Sequence, residues 1–134
     1  MILDDKYFTS FTFTKMQVKR NFENALKDLN IAKTDNILDV KFNYAYSALL
    51  KAGLALLSYQ NKKVKSTPGH HIKIIEALAE RLKDSTIEDM GEVMRSKRNI
   101  GMYSGGIEVT EKECHEYIDF VGKVISKVKA AISF

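Results

Sequence analysis

The chain has 134 residues, 45% of them hydrophobic and 28% charged, which fits one domain spanning residues 1–134 with its own core and excludes a disordered chain. Lysine and arginine number 21 against 17 acids, a formal net charge of +4; this mild basicity permits a nucleic-acid partner without demanding one. The single Cys114 excludes an internal disulfide and, with no apolar run behind a basic start, predicts a cytoplasmic protein without a signal peptide.

Residues 1–13 carry Tyr7, Phe8, Phe11 and Phe13 without a clear period, as expected of an irregular arm or an early helical turn. Thr14 and Gln17 have the spacing of a capping box, and Val18, Phe22, Ala25, Leu26 and Leu29 then mark one face of a first helix. Asp35 is the expected cap of a second helix. Leu38, Phe42, Ala45, Leu49, Ala52, Leu56 and Tyr59 alternate spacings of four and three, and Ile37, Tyr44, Ala48 and Ala55 widen the apolar face, so this helix is expected to be central. Its apolar stretch, residues 45–57, is broken by Ser47 and Lys51 and is too short to span a bilayer.

A basic loop, residues 60–67, precedes Thr67 and Pro68, which predict a third helix with proline at its first position. Its apolar face is Ile72, Ile75, Leu78, Ala79 and Leu82. Ser85 and Glu88 predict a capping box for a fourth helix carrying Ile87, Met90, Val93, Met94 and Ile100, and Ser104-Gly105-Gly106 stops it. Thr110 and Glu113 open a fifth, with Cys114, Tyr117, Ile118, Val121, Ile125, Val128 and Ile132 at helical spacing. No segment sustains strand alternation. The predicted fold class is all-α, an antiparallel four- to five-helix bundle.

No metal or cofactor is expected: His70 and His71 are adjacent in sequence and diverge on a helix, His115 is remote, and Cys114 has no paired cysteine. His71, a turn before Ile75, reads as a half-buried histidine tied to a loop carbonyl. Chemistry concentrates instead in residues 94–106, M-R-S-K-R-N-I-G-M-Y-S-G-G. Arg95, Arg98 and Met102 share a face there, while Lys97 points elsewhere. Arg98 and Asn99 set a planar fork of N–H donors beside a neutral amide, a set suited to a phosphodiester. Tyr103 lies roughly 140° around a continuous helix from Arg98, and converges with it only if the helix frays at Gly101. The same spacing also fits solvated cations at a helix C-terminus.

Three stretches, F-N-Y-A-Y-S-A-L-L-K-A-G-L-A-L-L (42–57), P-G-H-H-I-K-I-I-E-A-L (68–78) and M-R-S-K-R-N-I-G-M-Y (94–103), occur in the order found in HEPN domains, which the chain resembles over residues 14–130. The resemblance implies a bundle that usually dimerises, often beside a small nucleotidyltransferase, in toxin–antitoxin or defence roles. Many such domains place an arginine and, further along the helix, a histidine in a metal-independent ribonuclease site that spans the dimer. Others bind nucleotides or nucleic acid without cleavage. Arg98 matches the motif arginine, Asn99 the polar residue after it, and Tyr103 stands where the histidine would. A phenol of pKa about 10 lacks about 4.8 kcal/mol of the base character of an imidazole at about 6.5. The expectation is therefore a homodimeric nucleotide- or RNA-binding module using Arg95, Arg98, Asn99 and Tyr103, with a metal-independent endoribonuclease as the alternative and a plain interaction domain as a third reading. No membrane partner is expected.

Overall fold

The computed structural model describes residues 3–133, apart from the side chain of Tyr103. Five helices carry the chain: α1 (Lys15–Thr34), α2 (Leu38–Tyr59), α3 (His70–Arg81), α4 (Ser85–Ser104) and α5 (Glu111–Ala131). The all-α expectation is met, with α2 packed against each of the other four helices. Phe42, Ala45, Ala48, Leu49, Ala52 and Ala55 are fully buried along it. The alanines let its neighbours approach closely, and Phe42 meets Tyr117 of α5 edge-on at 5.5 Å between ring centroids. Ile37 and Tyr44, expected to widen this face, are instead exposed, as is Val93 of α4.

Local chemistry explains most boundaries. Thr14 and Thr110 each form a full capping box, with Gln17 and Glu113 reaching back. Asp35 acts two residues before the cap: its carboxylate accepts from the Ile37 N–H at 2.9 Å, and Ile37 holds the cap position. The cap of α4 is Asp84, not Ser85, because its carboxylate takes the Thr86 N–H and hydroxyl and also binds Lys127 of α5. These partners hold the Asp84 carboxyl at about 2, chiefly through the Lys127 and Thr86 bonds. Pro68 stays outside α3. Gly69 precedes the helix at φ 88°, a left-handed turn, and Thr67 donates its hydroxyl to the Lys6 carbonyl rather than capping.

The N-terminal arm is ordered as a strand, not as an irregular segment or a helical turn. β1 (Phe8–Ser10) pairs antiparallel with β2 (Lys62–Val64), which lies inside the stretch expected to be a loop. Three-residue strands are too short to declare a period of two. Phe8 anchors the pair by burying against Leu57 and Ala77. Among the described residues, no helix is long and apolar enough to cross a membrane.

One buried polar clasp joins α1 to α2. Asp28 is 4% exposed. It accepts from the Ser47 hydroxyl at 2.6 Å and pairs with Lys51 at 2.7 Å.

Candidate functional site

Two isoleucines fix α3. Ile74 seats on Gly53 of α2, where a Cβ would lie 2.6 Å from its Cγ2, and Ile75 seats on Gly91 of α4 at the same 2.6 Å. Each isoleucine lies one turn beyond a histidine, so this double seating sets His70 and His71 against the middle of α2 and the second half of α4.

Tyr46 is the residue around which the site closes. It is 1% exposed. Its hydroxyl meets Nδ1 of His71 at 3.2 Å, and the Arg98 guanidinium lies over its ring, 5.7 Å from the centroid. Burial pushes the phenol up to about 12, against the opposing pull of Arg98 and Arg95. It therefore keeps its proton, and among the described residues that proton has no other acceptor than His71. A neutral His71 thus accepts on Nδ1 and carries its own N–H on Nε2. His70 is set the opposite way. Its Nδ1 lies 2.9 Å from the Thr67 carbonyl, which only accepts, so Nδ1 carries a proton and the lone pair of a neutral ring falls on Nε2. The two rings stand edge-on, 4.6 Å apart. The sequence reading assigned the carbonyl tie to His71; the structure gives it to His70.

The cations divide the same way. Arg95 is committed to Glu92 through two bonds, Nε to Oε2 at 2.9 Å and Nη2 to Oε1 at 2.6 Å. Arg98 makes no ion pair among the described residues. Lys97, expected to point elsewhere, braces α4 against the start of α5 by bonding the Glu108 carbonyl at 3.3 Å and pairing with Glu113 at 3.5 Å. Two hollows result. A notch of about 220 Å³ between α3 and α4 is lined by His70, His71, Arg95 and Asn99. A wider one of about 480 Å³ between α2 and α4 is lined by Asn43, Tyr46, Ser47, His71, Arg98 and Met102. His71 borders both. A larger hollow, about 690 Å³, lies between α1 and α5 on an apolar floor that includes Leu26 and Leu29, rimmed by Lys33, Asp119, Lys123, Ser126 and Lys127, and none of the site residues singled out from the sequence lines it.

Of the residues singled out from the sequence, Arg95, Asn99 and Arg98 are thus brought to adjoining hollows. Tyr103 belongs to α4, which continues through Gly101, but its side chain lies outside the described set. The sequence reading missed Tyr46 and the approach of both histidines to α4. Phe42, Tyr46, Leu49 and Gly53 step by four, three and four along α2, branching from the expected seam at Phe42 and Leu49, and that spacing is the signal that marks Tyr46 as buried. Among the described residues, no group of three or more histidine, cysteine or acidic side chains is placed to hold a metal ion.

Burial holds the His71 imidazole below its ordinary 6.5, helped by His70, Arg98 and Arg95. Its folded value is depressed, so its contribution to stability is present above 6.5, where it is neutral whether folded or not. That contribution is lost as pH falls through the folded value, because the unfolded chain takes up the proton first. Thermal melts from pH 7 to 5 are expected to decline more steeply in the wild type than in His71→Gln. An equal slope in the two proteins would contradict the placement of His71.

Comparison with known proteins gives no match: no family model, no curated protein and no solved structure is significantly similar to the chain.

Proposed function

We propose that the chain is a HEPN-like nucleotide- or RNA-binding module with weak or no nuclease activity, dimeric and partnered by a nucleotidyltransferase. The observation that carries the binding reading is the convergence of Arg98, which lacks an ion pair among the described residues, with Asn99, Arg95 and the Nε2–H of His71 around two adjoining hollows. A phosphate between them would receive charge-assisted hydrogen bonds, each worth about 1.5–3 kcal/mol. His71 meets a ligand as a donor, because its lone pair is taken by Tyr46. That favours holding a phosphate over removing a proton. The dimer and the nucleotidyltransferase rest on the sequence resemblance; Val93 and Ile100, exposed and seven residues apart on α4, are apolar enough to meet a second copy.

The second reading, a metal-independent endoribonuclease, draws on a specific observation as well. The free Nε2 of His70 supplies, in the same notch as Arg95 and Asn99, an imidazole base that the position of Tyr103 lacks. Cleavage would then use His70 to take the proton of a ribose 2′-hydroxyl, with Arg98 and Asn99 stabilising the phosphorane and Tyr103 as a weak acid or positioning group.

Purified protein incubated with a mixed RNA pool in EDTA, beside Arg98→Ala, His70→Ala and Tyr103→His, separates the two. The binding module predicts no cleavage and a nucleotide or RNA affinity that falls at least about tenfold in Arg98→Ala. Cleavage that disappears in Arg98→Ala and His70→Ala would establish the enzyme. An Arg98→Ala protein that binds and cleaves like the wild type would sink both. Light scattering at micromolar concentration tests the dimer in the same samples.

A further inference from the structure

The β1–β2 pair has two faces. Its inner side carries Phe8 and Val64, which are paired in register and pack in one cluster with Leu57 and Ala77. Strand alternation puts Thr9 and Lys63 on the other side. The ladder extends a residue past each end, through Lys65 N–H to the Tyr7 carbonyl at 2.7 Å and Phe11 N–H to the Asn61 carbonyl at 3.1 Å. The outer side therefore reads Thr9 and Phe11 on one strand and Lys65 and Lys63 on the other, while Tyr7, in the turn before β1, packs against the inner cluster with one part of its ring still open to cations. Lys63 lies 5.1 Å from the Phe11 ring centroid, and Lys6 and Lys73 each lie 5.4 Å from that of Tyr7. Among the described residues, none of Lys6, Lys62, Lys63 and Lys65 makes an ion pair. Lys73 pairs with Glu76 at 3.4 Å.

This surface runs into the notch. Tyr7 packs on Gly69, with its hydroxyl 3.5 Å from where a Cβ would stand. Gly69 and His70 line the notch together with Arg95 and Asn99. The order along the surface is thus Lys63 with Phe11, then Lys65, whose ammonium bonds the Asp5 carbonyl at 2.6 Å, then Tyr7 with Lys6 and Lys73, then His70, Arg95 and Asn99. Cations interleaved with aromatic rings along a line match a chain of phosphates that carries bases able to stack.

We propose that this ribbon is a binding track for single-stranded nucleic acid leading into the α3–α4 notch. The ligand is then an oligonucleotide several residues long rather than a free nucleotide. The inference rests on phosphate binding at the notch and extends it. An anionic lipid surface would also attract the lysines, but it has no use for a line that ends in a concave notch.

Fluorescence anisotropy with a labelled, 2′-O-methylated oligouridine of about twelve nucleotides, competed by uridine monophosphate, tests it. The long probe is expected to bind at least about tenfold more tightly than the mononucleotide. A Lys63→Gln/Lys65→Gln variant should remove that advantage and leave mononucleotide affinity unchanged. The slope of log affinity on log salt should shrink by about 1.4, two single-strand phosphate contacts. Lys63→Arg/Lys65→Arg should retain the advantage, and Arg98→Ala should weaken both ligands. An oligouridine affinity untouched by Lys63→Gln/Lys65→Gln, with Arg98→Ala still damaging, overturns the track and spares the phosphate site shared by the two adjoining hollows. Failure of both ligands to bind overturns the notch reading too. Binding of phosphatidylserine vesicles through Lys63 and Lys65, with no preference for the longer oligonucleotide, assigns the ribbon to lipid and overturns the proposal.

Discussion

Tyr46→Ala is expected to lower stability by about 3–5 kcal/mol, the cost of truncating a large buried ring, with a fall in melting temperature of roughly 10–20 °C. The ring is 1% exposed and lies on the helix that every other helix packs against. Its removal opens a void at that crossing and takes away the surface on which Arg98 rests. Tyr46→Phe separates the two roles of the residue. The ring and its packing stay, and only the hydroxyl bonded to His71 is lost. That change should cost about 1 kcal/mol, while freeing Nδ1 of His71 and loosening the orientation of its Nε2–H. Nucleotide affinity should then fall severalfold in a protein that melts nearly like the wild type. Calorimetric melts and titrations of both variants check this, and a Tyr46→Phe protein that binds fully would mean that the tautomer of His71 does not matter to the ligand.

Gly91→Val carries the second large effect. Even one added carbon would stand 2.6 Å from Cγ2 of Ile75 and 3.3 Å from its Cδ1, and Ile75 is 2% exposed, so the isoleucine has little room to yield. A β-branched side chain there should cost about 2–3 kcal/mol by overpacking, in spite of glycine's poor helix propensity. The functional result is the sharper one. Ile75 is one turn from His71, so α3 is displaced from α4 and the notch is deformed by a residue that is not among those lining it. Affinity for a nucleotide should fall about tenfold, or about 1.4 kcal/mol, and the His71 ring resonances should shift without ligand. Retained affinity with unmoved histidine signals would show that α3 is not held by this contact.

The fold was legible where the sequence repeats a physical rule several times over. The run from Leu38 to Tyr59 shows its face at every turn, and the boxes at Thr14 and Thr110 mark helix starts by two mutual hydrogen bonds each. Boundaries set by a single signal were less readable. Asp84 outcompeted Ser85 because Lys127, distant in sequence, stabilises its carboxylate, and Gly69 detached Pro68 from the helix it was expected to begin. The β pair escaped notice because its partners are Phe8 and Val64, far apart in the chain and three residues long at most. The site divides similarly. Arg98 and Asn99 are visible as neighbours on one helix. His70, His71 and Tyr46 join them only through the packing of α3 between α2 and α4, and adjacency across helices has no local signature.

The clasp at Asp28 bears on how the chain avoids a wrong arrangement. α2 presents a long, repetitive row of alanine and leucine to the Val18, Phe22, Ala25, Leu29 and Ala32 face of α1, and such a row lets a neighbour slide at little cost in apolar contact. Displacing α1 by one turn, about 5.4 Å, would break the shared contact in which the Asp28 carboxylate holds the Ser47 hydroxyl and the Lys51 ammonium together, two partners that are themselves a turn apart on α2. Breaking a buried charge's contacts costs on the order of a few kcal/mol, more than the slide itself. Asp28 thereby penalises neighbouring alignments and fixes how α1 lies along the central helix.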